Sequence, residues 1–402
     1  IVGVNDASTL TDATDDEGLV TETDTLATLT DNGVLILEDV DGAAEEVFQT
    51  DPTTITSTST LDGSTGTALG ILTISAAGAW DYAIANDAVE YLGEGDTATE
   101  IFTVKSADGT EHDITVTIVG TNDVPVISGT SSGQVTEDNT DDIDALTGDL
   151  TVGAKVDISD VDQEESVFKT DVTTGADNFA DGELVIDENG NWTFTIPNTD
   201  PLVQGLGEGE VATQTFTVET ADGTEHTITV DIVGTNDVPT LVTDATDATG
   251  AVTEDDSQVT LSDAGKLTIE DVDGADEAVF QTDPATFASV SSLTGGEDGA
   301  VGTLTLSADG SWDYDIPNAA VEYLPAGVTA TETFTVLSKD GTPFEVVITI
   351  TGTDDAPVIG GNSEGTITED YAPDIVDIGG VDNLRFADQA TITDKDAGES
   401  TF

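Results

Sequence analysis

The sequence predicts an all-β protein made of tandem seven-stranded β-sandwiches of the immunoglobulin-like type, arranged as an elongated rod. Three observations predict this fold. A set of short motifs returns along the chain in a fixed order, apolar and polar residues alternate between the motifs, and no segment carries a helical period. The chain of 402 residues has room for two to four domains of ordinary size.

The repeat is clearest in the motif G-T-N-D-V-P, which begins at Gly120 and again at Gly234. A variant, G-T-D-D-A-P, begins at Gly352, and a shorter copy begins at Gly3. Between these motifs the same landmarks keep one order: V-T-E (I-T-E at Ile367), D-x-D, a glycine turn before tryptophan, and D-G-T. This order predicts repeats at 1–123 (with the tail of a preceding repeat at 1–7), 124–237 and 238–355, and residues 356–402 as the N-terminal part of a truncated fourth repeat.

Each repeat has the pattern of a β-sandwich. The segment Ile114-Thr115-Val116-Thr117-Ile118 alternates apolar with polar residues, which places isoleucine and valine inside and threonine on the solvent face. Short turns separate such segments. In the first repeat the pattern predicts seven strands, at 17–22, 33–38, 46–50, 68–75, 79–85, 99–105 and 112–119. Seven short strands in a repeat of this length are typical of an immunoglobulin-like sandwich.

Acidic residues dominate the charge, because 83 Asp and Glu stand against 7 Lys and Arg and give a formal net charge of −76. No basic patch is available for nucleic acid or for an anionic membrane surface. No apolar run approaches the ~20 residues that cross a bilayer, so we expect no membrane insertion. The absence of cysteine excludes disulfides and thiolate zinc sites. Self-repulsion at this charge favours bound cations or a saline medium.

Taken in order, the motifs resemble those of the VCBS repeat family. They are V-T-E-D at Val135, D-V-D-G at Asp39, Y-L-G-E-G at Tyr91, F-T-V-x-S-A-D-G-T at Phe102, and the G-T-N-D-V-P ending. VCBS repeats are cadherin-like modules of large bacterial adhesins, including those of the RTX type. The resemblance covers essentially the whole chain, and it implies a location outside the cell or on the bacterial cell surface, Ca²⁺ as the cofactor, and a role in adhesion.

Ca²⁺ prefers six to eight oxygen ligands. The alternating direction of successive strands, which we call strand parity, decides at which end of a repeat each loop lies, and so which oxygens meet. If every connection reverses the chain direction, the D-x-D and D-G-T loops lie beside the preceding linker, and the V-T-E glutamate lies beside the following one. This arrangement resembles the linkers of cadherins. The expected ligands are Asn5, Asp6, Asp39, Asp41 and Asp108 at linker I (3–7); Glu22, Asn122, Asp123, Asp160, Asp162 and Asp222 at linker II (120–125); Glu137, Asn236, Asp237, Asp271, Asp273 and Asp340 at linker III (234–239); and Glu254, Asp354, Asp355, Asp394 and Asp396 at linker IV (352–357).

Other interpretations of the same residues stay open at this point. Asp and Gly are ordinary turn residues, so the aspartate of D-G-T alone also fits a plain turn. The only histidines, His112 and His226, have Phe344 at the matching place in the third repeat, which indicates packing rather than catalysis. The tryptophan of each repeat can stack on sugars, but its spacing from a second aromatic two residues later favours the core.

These observations predict a protein that is not an enzyme. We expect a Ca²⁺-rigidified extender within a large bacterial cell-surface or secreted adhesin, which projects an adhesive domain or supports cell–cell and biofilm adhesion. The alternative is that the repeats themselves bind surface glycans or other copies of the chain, as a matrix or filament protein does. In both cases the first partners are Ca²⁺ and the neighbouring repeats. An active site is normally unique, whereas these carboxylates recur in every copy.

Overall fold

The computed structural model describes residues 4–361, 375–377, 382–384 and 390–401, so the I-T-E motif at Ile367 lies outside the described residues. Within them every regular element is a strand or a short 3₁₀ turn, which confirms the all-β prediction. None of the described helices is long and apolar enough to span a bilayer. The 3₁₀ turns are Pro52–Thr54, Asn86–Ala88, Thr243–Ala245, Pro284–Thr286 and Asn318–Ala320.

The chain forms two compact units, one of Ile1–Asp200 with Val211–Val233 and one of Pro201–Glu210 with Gly234–Phe402. The first unit begins with a sandwich of two sheets. Strands β2, β9, β8 and β5 form one sheet in that order, strands β3, β7 and β6 form the other, and the short strand β1 pairs with β4. The strands are β1 Thr9–Leu10, β2 Glu17–Thr21, β3 Thr28–Val34, β4 Leu37–Glu38, β5 Thr56–Ser59, β6 Ile71–Ile74, β7 Ala79–Ala85, β8 Thr97–Lys105 and β9 Glu111–Val119.

A second sandwich follows in the same unit. Its sheets have the orders β11-β17-β16-β13 and β10-β12-β15-β14. Strand β10 comes directly after linker II and pairs antiparallel with β12, from Val126 opposite Ser159 to Gly129 opposite Val156. The strands are β10 Val126–Gly129, β11 Ser132–Thr136, β12 Asp149–Ser159, β13 Phe168–Thr174, β14 Glu183–Ile186, β15 Asn191–Pro197, β16 Val211–Thr220 and β17 Glu225–Val233.

The second unit contains a sandwich with the sheet orders of the first one. Strands β19, β26, β25 and β22 form one sheet, β20, β24 and β23 form the other, and β18 pairs with β21. Beyond linker IV, β27 pairs with β30 and β28 with β29. The strands are β18 Thr240–Leu241, β19 Thr249–Thr253, β20 Thr260–Lys266, β21 Ile269–Glu270, β22 Ala288–Ser291, β23 Thr303–Leu306, β24 Ser311–Pro317, β25 Thr329–Leu337, β26 Pro343–Thr351, β27 Val358–Gly361, β28 Ile375–Asp377, β29 Asp382–Leu384 and β30 Ala390–Thr393.

The fold is therefore a tandem array of immunoglobulin-like β-sandwiches, as the sequence predicts. In each sandwich an early strand runs parallel to the last strand: β2 with β9, β11 with β17, and β19 with β26. Each of these ladders holds five residue pairs, from Glu17 opposite Thr115 to Thr21 opposite Val119 in the first sandwich. Parallel pairing of these strands places the start and the end of each sandwich at opposite ends, as the parity argument requires.

The core of each sandwich is centred on its tryptophan. Trp80, Trp192 and Trp312 are each 1% exposed, and the indole N–H of Trp80 donates to the carbonyl oxygen of Asp15 over 2.7 Å. Matching bonds run from Trp192 to Thr130 and from Trp312 to Asp247. Core placement of the tryptophans is thus confirmed, and a sugar-stacking surface built on them is excluded because the rings do not reach solvent.

Two of the predicted strands are wrong in the first sandwich. Residues 46–50 form only an isolated bridge, between Phe48 and Ser106, and the strand that pairs with β8 is β5. Its sequence is T-S-T-S, so no apolar residue marks its inner face; Ser57 accepts the N–H of Ala68 there instead. The predicted strand 33–38 divides into β3, which starts earlier, and β4. The two main sheets hold seven strands, as predicted, and the short pair of β1 with β4 adds two.

The early part of β3 escapes the pattern because two of its inward positions are not apolar. They are Asp31 and Gly33, which lie opposite Tyr82 and Trp80 on β7. Asp31 accepts the N–H of Leu19 over 2.7 Å. A Cβ on Gly33 would lie 2.5 Å from the Trp80 ring, so the indole fills the space that a side chain would need.

Candidate metal centres at the linkers

Linkers II, III and IV each begin at a glycine that packs too closely for a side chain. A Cβ on Gly120 would lie 2.1 Å from the carbonyl oxygen of Leu92, so the linker is held against the turn that precedes β8. The next residue, Thr121, donates its hydroxyl hydrogen to the carboxylate of Glu22. The matching contacts are Gly234 with Leu206, Gly352 with Leu324, and Thr353 with Glu254.

The linker aspartate is fixed by the second aspartate of the D-x-D loop that follows it. At linker II the N–H of Asp123 donates to Oδ2 of Asp162 over 2.8 Å, and the N–H of Asp162 donates to Oδ1 of Asp160 over 3.1 Å. The same two bonds recur at the other linkers, from Asp6 to Asp41 (2.6 Å) and Asp41 to Asp39 (2.8 Å), from Asp237 to Asp273 (2.8 Å) and Asp273 to Asp271 (3.0 Å), and from Asp355 to Asp396 (2.9 Å) and Asp396 to Asp394 (3.1 Å).

Carboxylates of the preceding sandwich meet the linker aspartate from the other side. At linker II, Glu22, Asp24 and Asp123 each offer an oxygen, and these oxygens lie within 4.8 Å of one another; we call this set the upstream cluster of linker II. Glu22 is buried in it, at 1% exposure. The upstream cluster of linker IV has the same composition, Glu254, Asp256 and Asp355, at the same mutual distance.

A second group of carboxylates comes from the sandwich that follows the linker. The downstream cluster of linker I consists of Asp39, Asp41 and Glu45, and that of linker IV consists of Asp354, Asp396 and Glu399. In each of them the oxygens again lie within 4.8 Å of one another. At linker II the corresponding glutamate is Glu165, whose Oε1 would lie 2.9 Å from a Cβ on Gly93 of the preceding sandwich.

Sequence reasoning missed two positions that these clusters use. One is the acidic residue two places after the V-T-E glutamate, Asp24 or Asp256. The other is the glutamate three or four places after the D-x-D motif, Glu45, Glu165 or Glu399. Both recur at a nearly fixed distance from a landmark, and this recurrence was the signal that would have found them.

The aspartate of the D-G-T turn occupies a different environment from the other expected ligands. Asp108 accepts hydrogen bonds from the hydroxyls of Ser106 and Thr110 and from the N–H of Thr110. These bonds, with that of Ser106 the largest, lower the pKa of Asp108. Asn5 approaches its Oδ2 at 3.4 Å, as Asn122 approaches that of Asp222 at 3.5 Å. The turn aspartate thus fixes its own turn and lies next to the linker asparagine.

Glu137 is positioned in the second sandwich as Glu22 is in the first. It is 0% exposed, and its N–H donates to the carbonyl oxygen of Val233 over 2.9 Å, as Glu22 donates to Val119 over 2.8 Å. In the second unit, the amide group of Asn236 donates to the carbonyl oxygen of Asp237 over 2.6 Å.

Many buried carboxylate oxygens at the linkers receive no hydrogen bond within the described part of the chain. Asp162 is 2% exposed; its Oδ2 is bonded, but its Oδ1 has no donor. Burying an acceptor without a donor costs ~1–3 kcal/mol, and more when it is charged. The oxygens in this state are Oδ2 of Asp39, Asp123, Asp160, Asp271 and Asp355, Oδ1 of Asp162, Asp273 and Asp396, Oε1 of Glu254, and Oε2 of Glu45 and Glu165.

The protonation equilibria reflect the same crowding. Burial, then the contact with Asp24 and the charge of Glu22, raises the pKa of Asp123 to about 6. Burial also raises the pKa of Asp162 and that of Glu165, and neighbouring carboxylates add to the rise. Carboxylates that resist ionisation in this way, with oxygens facing each other across a few ångströms, are a donor set that suits a hard divalent cation such as Ca²⁺.

The two histidines lie in packing positions. The His112 ring meets Phe48 edge-on, with centroids 6.1 Å apart, and Phe344 meets Phe280 in the same way at 5.7 Å. Burial lowers the pKa of His112 and of His226. The interpretation of this position as a packing site is confirmed for His112 and Phe344, and the His226 ring is also hydrogen-bonded to the hydroxyl of Ser131 over 2.7 Å.

Comparison with known proteins gives a family match in the second unit. Residues 236–352 match the family model of the bacterial cadherin-like domain, and this region includes Asn236, Asp237, Asp271, Asp273 and Asp340 of linker III. The match supports a cadherin-like repeat there. A search of curated protein sequences gave no match.

Among solved structures, the chain is similar to cadherin ectodomain fragments. One is the protocadherin gammaB7 EC3-6 cis-dimer, with 13% identity, 88% of this chain and 76% of that chain covered, and a TM-score of 0.44. Mouse cadherin-23 EC22-24 has 12% identity, with 87% and 99% covered and a TM-score of 0.40. Protocadherin gamma B2 extracellular cadherin domains 3-6 has 12% identity, with 88% and 75% covered and a TM-score of 0.40.

Proposed function

We propose that this chain is an array of bacterial cadherin-like repeats of the VCBS type, in which Ca²⁺ bound at the linkers fixes each repeat against the next. The repeat boundaries are those that the sequence predicts, at 123/124, 237/238 and 355/356. One observation carries the proposal: the buried carboxylate oxygens without a donor all belong to the linkers or to the acidic residues beside them, and they recur at each linker. No other part of the described chain gathers such oxygens.

The ligands of the proposed sites come from both sides of a linker. At linker II, Glu22 and Asp24 belong to the preceding sandwich, Asp123 to the linker itself, and Asp160 and Asp162 to the following sandwich. Ca²⁺ supplies two positive charges where like charges otherwise repel, and it binds oxygen ligands of this kind. Because the ligands come from two sandwiches, an ion bound to them restricts the angle between the sandwiches.

Such an array serves as an extender. The charge of −76 keeps it soluble and repels other copies, and Ca²⁺ concentrations outside a cell suit linker sites of millimolar affinity. We therefore place the protein outside the cell or on the bacterial cell surface, where it projects or supports an adhesive region and performs no catalysis. RTX-type adhesins are the class of protein that this role fits.

The test is small-angle scattering together with thermal melting, in EDTA and in millimolar Ca²⁺. We expect both the maximum dimension and the melting temperature to rise with Ca²⁺, because ion binding to the native state alone stabilises it by mass action. The variant Asp160→Ala with Asp162→Ala should lose a large part of both increases. Isothermal titration should show fewer bound ions per chain for this variant.

A matched control removes two carboxylates from the same sandwich but away from the linkers. Asp171 and Glu183 are exposed on β13 and β14, so Asp171→Ala with Glu183→Ala should keep the full Ca²⁺ response. If the wild-type chain has the same dimension and melting temperature in EDTA and in Ca²⁺, the acidic linkers serve solvation alone and the proposed function is wrong.

A further inference from the structure

The D-x-D loop beside linker IV differs from its other copies in the central residue. The D-x-D motif has valine in the middle at Val40, Val161 and Val272, but the fourth copy has Lys395. The three valines point to solvent, with exposures of 84%, 54% and 60%. A lysine is uncommon in this chain, which has 7 Lys and Arg among 402 residues.

The ammonium group of Lys395 reaches across the linker into the upstream cluster of linker IV. It lies 2.6 Å from Oδ1 of Asp256 and 3.3 Å from Oδ1 of Asp355. A third carboxylate, that of Glu322, lies 3.4 Å away. Asp355 is 4% exposed, so the lysine neutralises a buried charge as well as solvent-exposed ones.

Several contacts around linker IV match those around linker II, although linker IV has Asp354 where linker II has Asn122. Asn86 donates to Glu90 as Asn318 donates to Glu322, and both upstream clusters have the same three residue types. The loop after the linker contacts the preceding sandwich in the same way, since Gln163 N–H donates to Tyr91 O over 3.0 Å and Ala397 N–H to Tyr323 O over 3.1 Å. The upstream clusters of the two linkers can therefore be compared, one without and one with the ammonium group.

We propose that Lys395 is a built-in cation that takes the place of one Ca²⁺ at linker IV. The upstream cluster of linker IV then holds its geometry without added metal, while the downstream cluster, Asp354, Asp396 and Glu399, still binds Ca²⁺. At linker II, which has Val161 in the corresponding position, the upstream cluster depends on Ca²⁺. This inference rests on the proposed function, because it assigns a different metal requirement to one of the proposed sites.

Two physical arguments support the assignment. A covalently attached ammonium group has a high effective concentration at the cluster, so dilution and chelators do not remove it. Its positive charge also repels a divalent ion from the same carboxylates, so both cannot occupy the cluster together. An exposed ion pair alone contributes little to stability, but here one carboxylate is buried and the lysine links the two sides of the linker.

The experiment measures the two linkers separately in the full chain. Since the chain has no cysteine, spin labels can be attached at Ile71→Cys with Val185→Cys, across linker II, and at Val290→Cys with Ile359→Cys, across linker IV. All four positions are exposed. Pulsed electron–electron double resonance gives the width of the distance distribution between the two spin labels of each pair, in EDTA and in millimolar Ca²⁺. We expect the distance distribution across linker IV to be narrow in both conditions. The distribution across linker II should be narrow only in Ca²⁺.

Two exchanges sharpen the test. Lys395→Met keeps the aliphatic part of the side chain and removes the charge. It should therefore broaden the distance distribution across linker IV in EDTA and add one bound Ca²⁺ per chain. Val161→Lys should narrow the distance distribution across linker II in EDTA and reduce the number of bound Ca²⁺ ions per chain by one. Lys266→Met is the matched control, because Lys266, at the end of β20, pairs with exposed Asp309 in the turn between β23 and β24. It should leave the widths of both distance distributions unchanged.

The outcomes separate the two proposals. Suppose that Ca²⁺ narrows the distance distribution across linker II, but that in EDTA the distribution across linker IV is as broad as that across linker II. The lysine then does not replace an ion, and this inference is overturned while the proposed function stands. An unchanged bound-ion count in both Lys395→Met and Val161→Lys overturns it as well. If linker II has the same width in EDTA and in Ca²⁺, the proposed function fails.

Discussion

Asp123 illustrates what a linker carboxylate experiences in the absence of a metal ion. Its Oδ2 is buried without a donor, its neighbours are carboxylates, and its pKa rises to about 6. The ordinary value in an unfolded chain is ~3.9. The native state therefore binds more protons than the unfolded state between these two values, and it becomes less stable as the pH rises through this range.

This shift predicts an inverted pH dependence in the metal-free protein. In EDTA the melting temperature should be higher at about pH 5 than at about pH 7, since the stability present below the unfolded pKa is lost as the pH rises through about 6. In saturating Ca²⁺ the dependence should reverse, because protons compete with the ion for the carboxylates. Differential scanning calorimetry across this range measures both slopes.

Asp123→Asn is the control for the pH experiment. It removes the titrating group but keeps the shape of the side chain, so the EDTA slope should become flatter than in the wild type. A variant whose slope equals that of the wild type would show that other carboxylates cause the dependence. The raised pKa of Asp123 would then have no consequence for stability.

At the scale of single elements, a glycine turn fixes the hairpin that carries the tryptophan. Gly310, between β23 and β24, has φ of +84°, a region that residues with a side chain rarely adopt. A Cβ there would also lie 2.0 Å from the carbonyl oxygen of Leu267. Gly78 and Gly190 hold the same position in the other sandwiches, with φ of +86° and +81°. The turn therefore needs glycine for two reasons: its backbone conformation and its close contact with the backbone of Leu267, just after β20.

We predict that Gly310→Ala destabilises its sandwich by more than backbone strain alone. The matched comparison is Gly295→Ala, since Gly295 has φ of +90° but nothing within 4 Å of a Cβ. Strain costs ~1–2 kcal/mol at either place, and the clash adds to it only at Gly310. Chemical denaturation should show the larger loss for Gly310→Ala; equal losses would mean that the hairpin relaxes and the contact with Leu267 is soft.

The sequence predicted the strands whose inner faces are apolar and missed those whose inner faces are not. Strands β7 and β9 show strict alternation, and their predicted bounds agree with the structure to within one residue. Strand β5 has serines facing inward, and the inner positions of β3 hold Asp31 and Gly33. Hydrophobic periodicity carries no signal where hydrogen bonds or a neighbouring ring fill the inner face.

For the candidate site, parity and recurrence were sufficient to place the D-x-D loop beside the linker, and the bond from Asp123 to Asp162 gives the geometry. They were insufficient for Asp24 and Glu165. In a chain with 83 acidic residues, a single carboxylate stands out only when its position is compared among all the copies. Which oxygens lack a donor is a property of packing and cannot be inferred from spacing.

At the scale of the whole molecule, repulsion among the acidic residues opposes the compact folded state. The described lysines form ion pairs that are largely exposed, such as Lys105 with Glu111 and Lys169 with Glu219, and such pairs contribute little. With a net charge of −76, the remaining carboxylates must be screened by salt or compensated by bound ions.

We therefore predict that salt and Ca²⁺ partly replace each other. In EDTA, raising NaCl from about 0.1 M to about 1 M shortens the Debye length from ~10 Å to ~3 Å, and the melting temperature should rise. In saturating Ca²⁺ the same increase should have a smaller effect, because the closest charges are already compensated. KCl at equal concentration controls for a specific effect of Na⁺. Equal salt effects in EDTA and in Ca²⁺ would contradict the prediction.

The parallel pairing of an early strand with the last strand of each sandwich has a mechanical consequence. Tension applied along the chain pulls the start of β2 and the end of β9 in opposite directions, along the axis of a ladder of five residue pairs. The hydrogen bonds of that ladder are then loaded in shear and resist together, whereas a hairpin pulled open from its end breaks them one at a time. The ladders of β11 with β17 and of β19 with β26 have the same geometry, so a stretching force loads each sandwich through the same kind of sheared ladder.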